Sequence, residues 1–347
     1  MILSNRSLAA GLIAVSVVSM TAPAFAAGEV NIYSHRQEFL IRPLLQAFTA
    51  KTGIKANVIY APKGLVERMK ADGKNSPADV LLSVDIGILY SAVKQGVTQP
   101  VKSEVLEKQI PANFRSADGQ WFALTTRARV VYASRSRVKQ DAITYEELAD
   151  PKWRGRICIR SGQHVYNTGL IAAMIAHHGE AKAKAWLAGL KANLARRPSG
   201  NDRNQVKGVF AGVCDLAIGN TYYMALMQTN KKSPEQQKWA AAVKLLFPNG
   251  QGRGAHVNVS GVVMAKYAPH RANALKLMEF LASNDAQRVY AARNHEYPVN
   301  PNVPWSETVK SWGTFKPDSL SLEKIAQLRK RASELVDEVG FNAGPGK

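Results

Sequence analysis

Residues 219–224, GNTYYM, set two phenols side by side, Tyr222 and Tyr223, directly after a short apolar run, CDLAIG, that reads as a strand. Neighbouring side chains point to opposite faces of a strand and lie about 100° apart on a helix, so adjacent tyrosines seldom share one core pocket. Placed on a turn, they can converge on one ion. A third phenol, Tyr166, lies in RSGQHVYN (160–167), after another strand-like run, and the polar loop YSHRQEF (33–39) follows the first strand. Phenol holds its proton to about pH 10 in water, yet a bound cation of high charge displaces that proton and leaves a hard anionic oxygen. Three phenolates balance one Fe(III), whereas softer divalent metals call for Cys or clustered His. His177 and His178 lack a partner at metal-binding spacing, and the glycine-rich NGQGRGAH lacks the Lys-Ser/Thr of a phosphate loop. Tyr33, Tyr60, Tyr90 and Tyr132 are assigned to packing, and His35 and His164 to solvated loops beside the site.

The elements that must position these residues alternate. GEVNIYS, IKANVIYA, ADVLLSVD, WFALTTRARVVYAS, GRICIRSG, CDLAIG and HVNVSGVVMA read as strands. Helical segments lie between and after them, from FLIRPLLQAFTAKTG, ended by Gly53, to ANALKLMEFLASNDAQRVYAAR and LEKIAQLRKRASELVDEV. The βαβ opening predicts an α/β fold with a parallel sheet. Long strands near 122–134 and 256–265 join two α/β sets, which describes two hinged lobes with a cleft at the carboxyl ends of their strands.

The first 26 residues carry Arg6, an apolar run from about Leu8 to Met20 and the small-residue pattern Ala24-Phe25-Ala26. That is the pattern of a cleaved secretory signal peptide, and it predicts an exported, soluble protein. The 347 residues less those 26 leave 321, more than one core usually organises. Lys plus Arg 46 against Asp plus Glu 26 gives +20. The charges are dispersed singly, the densest groups being ARRP (195–198) and LRKRA (328–332), with no zinc-finger spacing and no aromatic RNA-binding signature. A solvated basic surface that attracts anionic ligands or the membrane face is expected, and no nucleic-acid partner. Cys158 and Cys214 are the only thiols, compatible with one disulfide or with two buried thiols.

The motifs NIYSHRQ, SPADVLLSVD, WFALTTRARVVYAS, RICIRSGQHVYN, LKANLARRPSGNDR, CDLAIGNTYYM, NVSGVVMAKYAP and NHEYPVN together resemble the periplasmic ferric-iron-binding proteins of ABC transporters, transferrin-like two-lobed solute receptors. The resemblance covers essentially the whole mature chain. It implies that Tyr222, Tyr223 and Tyr166 bind iron. Many members read Tyr-Ser-x-Arg-His-Tyr in the first loop, where this chain has Arg36-Gln37-Glu38. The chain is thereby similar to the subgroup in which the second lobe supplies three tyrosines and a small anion, commonly carbonate, completes the shell. Arg36 and Arg127 would then offset the anion's charge, since guanidinium matches carboxylate-like oxygens, with Gln37 as a neutral donor. Glu38 is a possible extra ligand, although its place at a helix start favours capping.

The resemblance implies a two-lobed periplasmic binding protein fold. Lobe one takes 27–127 and 256–300, lobe two 128–255 and 301–347. It further implies a periplasmic monomer that hands iron to an inner-membrane permease. A receptor of the same fold for an anion or polyamine is the alternative. A hydrolase finds no Gly-x-Ser-x-Gly elbow, zinc-protease helix or carboxylate pair to stand on, so no enzyme is expected.

Overall fold

The computed structural model describes residues 28–346, so the leader expected at 1–26 lies outside the described residues. The ten strands are β1 (Glu29–Ser34), β2 (Lys55–Tyr60), β3 (Val80–Ser83), β4 (Thr98–Gln99), β5 (Phe122–Ser134), β6 (Ile157–Cys158), β7 (Leu216–Asn220), β8 (Val243–Leu246), β9 (Val257–Ala265) and β10 (Tyr297–Pro298). The helices before residue 200 are α1 (Glu38–Thr52), α2 (Leu65–Asp72), α3 (Ile86–Lys94), α4 (Glu104–Gln109), α5 (Val165–His178) and α6 (Glu180–Ala192). After it come α7 (Asp202–Phe210), α8 (Thr221–Gln228), α9 (Pro234–Ala241), α10 (Arg271–Ala282), α11 (Asn284–Asn294), α12 (Glu307–Lys310) and α13 (Leu322–Glu338).

The strands follow the order β2-β1-β3-β9-β5-β7-β6. The expected parallel pairing holds for β1 with β2 and β3, and for β6 with β7. The middle departs from it: β9 runs antiparallel to β3 and β5, and β7 and β8 run antiparallel to β5. The sheet is therefore mixed. β5 is the connecting element. Phe122–Ala128 pairs with β9, whereas Arg129–Ser134 pairs with β7 and β8. All 13 of its residues are buried, so it is covered on both faces and reads as one apolar run broken by polar side chains.

The helices follow their apolar faces. α1 buries Ile41, Leu44, Leu45 and Phe48, at i, i+3, i+4 and i+7, and stops at Gly53 in the left-handed region, whose N–H closes on the Thr49 carbonyl. The single long helix expected over 272–293 is two. Ser283 leaves helical geometry at ψ 157 and its hydroxyl accepts the Ala286 N–H, which stops α10 and caps α11. TYEELAD (144–150), whose sequence predicts a helix, forms a 3-10 turn, Glu146–Ala149. α13 packs against both α5 and α3. Among the described residues, no helix is long and apolar enough to cross a membrane.

Candidate metal centre

Two helix starts bring the three phenols together. Tyr166 is the second residue of α5 and Tyr222 and Tyr223 are the second and third of α8. The tyrosine pair therefore sits in the first turn of a helix, not on an irregular turn. The two rings lie side by side, centroids 4.5 Å apart at 35°. Tyr222 donates its hydroxyl hydrogen to the Tyr166 hydroxyl at 2.9 Å. Both helix N-termini carry partial positive charge from unpaired N–H groups, which favours phenolate over phenol.

Behind the phenols lies a buried ionic frame. Asp202 is wholly buried, accepts from Arg129 at 2.8 Å and Arg160 at 3.1 Å, and also accepts the backbone N–H of Asn220 at 2.8 Å, the residue that opens α8. Arg129 reaches Asn167 with its other terminal nitrogen, at 2.7 Å. The guanidiniums of Arg129 and Arg160 lie 5.8 and 5.4 Å from the Tyr166 ring centre. One carboxylate so fixes both tyrosine-bearing helix starts relative to β5.

Burial raises the Tyr222 phenol well above its usual range, and the oxygens of Tyr166 and Tyr223 add to that. Burial and Tyr223 raise Tyr166 also, against the pull of Arg127 and the hydrogen bond from Tyr222. Without a cation the Tyr166 and Tyr222 phenols are neutral. With one, each that coordinates must give up its proton. Burial, then Arg160 and Arg129, holds His164 down at about 4, so it stays uncharged and accepts the Tyr166 N–H at 3.2 Å as the cap of α5.

The expected anion residues line the same cleft of ≈ 270 Å³, with Tyr166, Tyr222 and Tyr223. Arg127 is 2% exposed, donates to Ser260 at 3.1 Å, and has a buried Nε without a partner. Arg36 is held through one terminal nitrogen by Glu296, at 2.8 and 3.0 Å, and by Ser260. Gln37 is the exposed residue before α1. Glu38 is not brought to the cleft. Its carboxylate pairs with Arg42 one turn on, at 2.7 Å, and borders a separate groove between α1 and β2. Tyr60, assigned to packing, is 43% exposed and lines the cleft.

The cleft is also lined by residues the sequence does not single out, among them Asn294, Glu296, Val84 and Arg203, whose guanidinium lies 5.0 Å from the Tyr223 ring centre. Arg129 also went unremarked, although TTRAR shows two cations two apart, hence on one face of the strand. Glu296 carried no such signal, because Arg36 and Thr125 reach it across 260 and 171 residues. Among the described residues, no group of three His, Cys, Asp or Glu could hold a metal. Oxygen from tyrosine is the donor set this cleft offers, which suits a hard, highly charged cation.

Residues 75–317 match the family described as bacterial extracellular solute-binding protein. The chain belongs to that family. It is 46% identical to iron uptake protein A1 of Synechocystis over 315 residues, 90% of this chain and 87% of that protein. It is 27% identical to the major ferric iron-binding protein of Neisseria meningitidis over 336 residues, 94% of this chain and 98% of that protein. Among solved structures, the apo ferric ion-binding protein A of Pasteurella haemolytica superposes with a TM-score of 0.86 at 51% identity, covering 90% of this chain and 98% of that one. A Trichodesmium protein solved with iron and citrate ligands gives 0.86 at 43%, covering 90% and 100%. The fold is thus the two-lobed one of the ferric-binding proteins.

Proposed function

We propose that this solute-binding protein is a periplasmic receptor for Fe(III), held by the phenolates of Tyr166, Tyr222 and Tyr223 together with a small anion, and that it delivers iron to an inner-membrane ABC permease. The observation that carries the reading is the convergence of three phenols on one cleft wall, two of them already in hydroxyl contact. A receptor for an anion or polyamine without metal would leave that cluster unused. Arg36, Arg127 and Gln37 hold the anion, and carbonate or a similar small oxyanion such as bicarbonate is the candidate, since three phenolates neutralise the metal and leave the anion's charge to the guanidiniums. The work is binding rather than catalysis. Lobe one, 27–127 with 256–300, and lobe two, 128–255 with 301–347, would close over the metal by hinge motion.

The test is a titration of the iron-free protein with ferric citrate, with and without bicarbonate, followed in visible absorption. A phenolate-to-iron charge-transfer band that saturates at one iron per chain is expected. Arg127→Ala should need more bicarbonate to reach the same band. A folded protein that retains no iron and shows no band would favour the metal-free receptor.

A further inference from the structure

We infer that Asn294 reads the anion: it selects an oxyanion that carries a hydroxyl donor beside its charge, such as bicarbonate or a hydroxycarboxylate, over one that offers acceptors alone. This rests on the anion-assisted iron reading above and adds the residue that sets its choice.

Asn294 ends α11 at the cleft wall, 3% exposed. Neither its Oδ1 nor its Nδ2 has a partner. Buried polar side-chain atoms in folded proteins are overwhelmingly paired, so an amide free at both ends calls for a ligand or another specific reason. Because both atoms are free, exchanging the oxygen and nitrogen positions leaves the argument unchanged. A second observation lies in the backbone. The next residue, His295, adopts the left-handed region at φ 53, as only Asn249 otherwise does among the described non-glycine residues. Such a conformation persists where the surroundings over-determine it. Here it turns the chain from α11 into β10 so that Asn294 and Glu296 both line the cleft, and Glu296 is fixed by Arg36 and Thr125.

Arg127 and Asn294 both line the cleft, and between them three buried groups are without a partner: the Nε–H of Arg127, the amide N–H of Asn294, and the amide oxygen of Asn294. A carboxylate or carbonate oxygen can use the first two. Only a ligand that also carries O–H can satisfy the third, and an acceptor-only anion leaves that oxygen desolvated and facing like partial charge. Sites built to hydrogen-bond a ligand hydroxyl discriminate strongly against the analogue that lacks it.

The experiment compares citrate with tricarballylate, which keeps the three carboxylates and lacks only the hydroxyl, by calorimetric titration of the iron-free protein and its Asn294→Ala variant. The wild type should bind citrate about tenfold more tightly, a single hydrogen bond's worth, and the variant should lose that preference. The variant should melt no lower than the wild type, because removing an unpaired buried amide orphans nothing; a purely structural role would lower its melting temperature. No preference in the wild type, a preference kept by the variant, or no binding of either anion would each overturn the inference. The iron-loaded wild type separates the two levels. A phenolate–iron band without a citrate preference removes only the role of Asn294, and no band at all removes the iron reading along with it.

Discussion

Tyr222 and Tyr166 share one hydrogen between oxygens 2.9 Å apart, and that contact becomes a repulsion once both are phenolates. A cation must therefore come between them for both to ionise, so the hydrogen bond marks where the metal enters. Tyr222→Phe and Tyr223→Phe should each lower iron affinity by at least about a hundredfold, by loss of one anionic ligand, with stability changed by only about 1 kcal/mol. Band intensity under iron titration, read beside the melting temperature, checks both halves. An unchanged band would remove that tyrosine from the ligand set. The phenols were legible because two adjacent tyrosines after a strand have little use in a core. Asn294 and Glu296 were not, because their meaning depends on neighbours supplied by β5 and β9 and on one left-handed residue between them.

The disulfide between Cys158 and Cys214 joins β6 to the entry of β7. Tyr166 follows Cys158 by eight residues (166 − 158), and Tyr222 follows Cys214 by eight (222 − 214). The bridge ties the end of β6 to the entry of β7, and each strand leads on to a tyrosine-bearing helix start; with equal offsets of eight, both separations are 56 residues. Closing a loop of that length should stabilise the fold by about 4 kcal/mol in the chain-entropy account. A Cys158→Ala/Cys214→Ala variant should show a lower urea midpoint by that order, and an equal midpoint would show that the pair adds nothing. Seven of the ten described strands were readable from composition, whereas β4, β8 and β10, of two to four residues, are too short to show a pattern; the end of α1 was readable from Gly53. The antiparallel insertion of β9 between β3 and β5 was not, because apolar runs specify burial and carry no partner or direction.

At the scale of the molecule, acid should act on two equilibria. Burial, then Arg129, Arg329 and Arg127, holds His256 down at about 3, from an ordinary 6.5. The unfolded chain thus takes up a proton that the native one refuses. Its contribution to stability is complete above about pH 6.5 and declines as the pH falls toward 3. Urea midpoints from pH 7 to pH 4 should fall steadily, and His256→Gln should flatten part of that slope; a slope unaltered in the variant would assign it to other groups. Iron should leave over the same descent, since each phenolate released takes a proton. The net charge of +20 should meanwhile hasten capture of anionic iron complexes, an effect that salt suppresses.

The strand order has one consequence in time. β3, complete by Ser83, is flanked on one side by β9, which begins only at Val257, and β5 needs that same neighbour. A chain emerging from its N-terminus can form β1, β2 and β3 early, yet the seam between the sheet's two halves stays open until most of the polypeptide is available. Pairing over such sequence distances is slow. A late-closing seam leaves the β9-facing edges of β3 and β5 unpaired while the chain is being made, open to a wrong strand until Val257–Ala265 arrives.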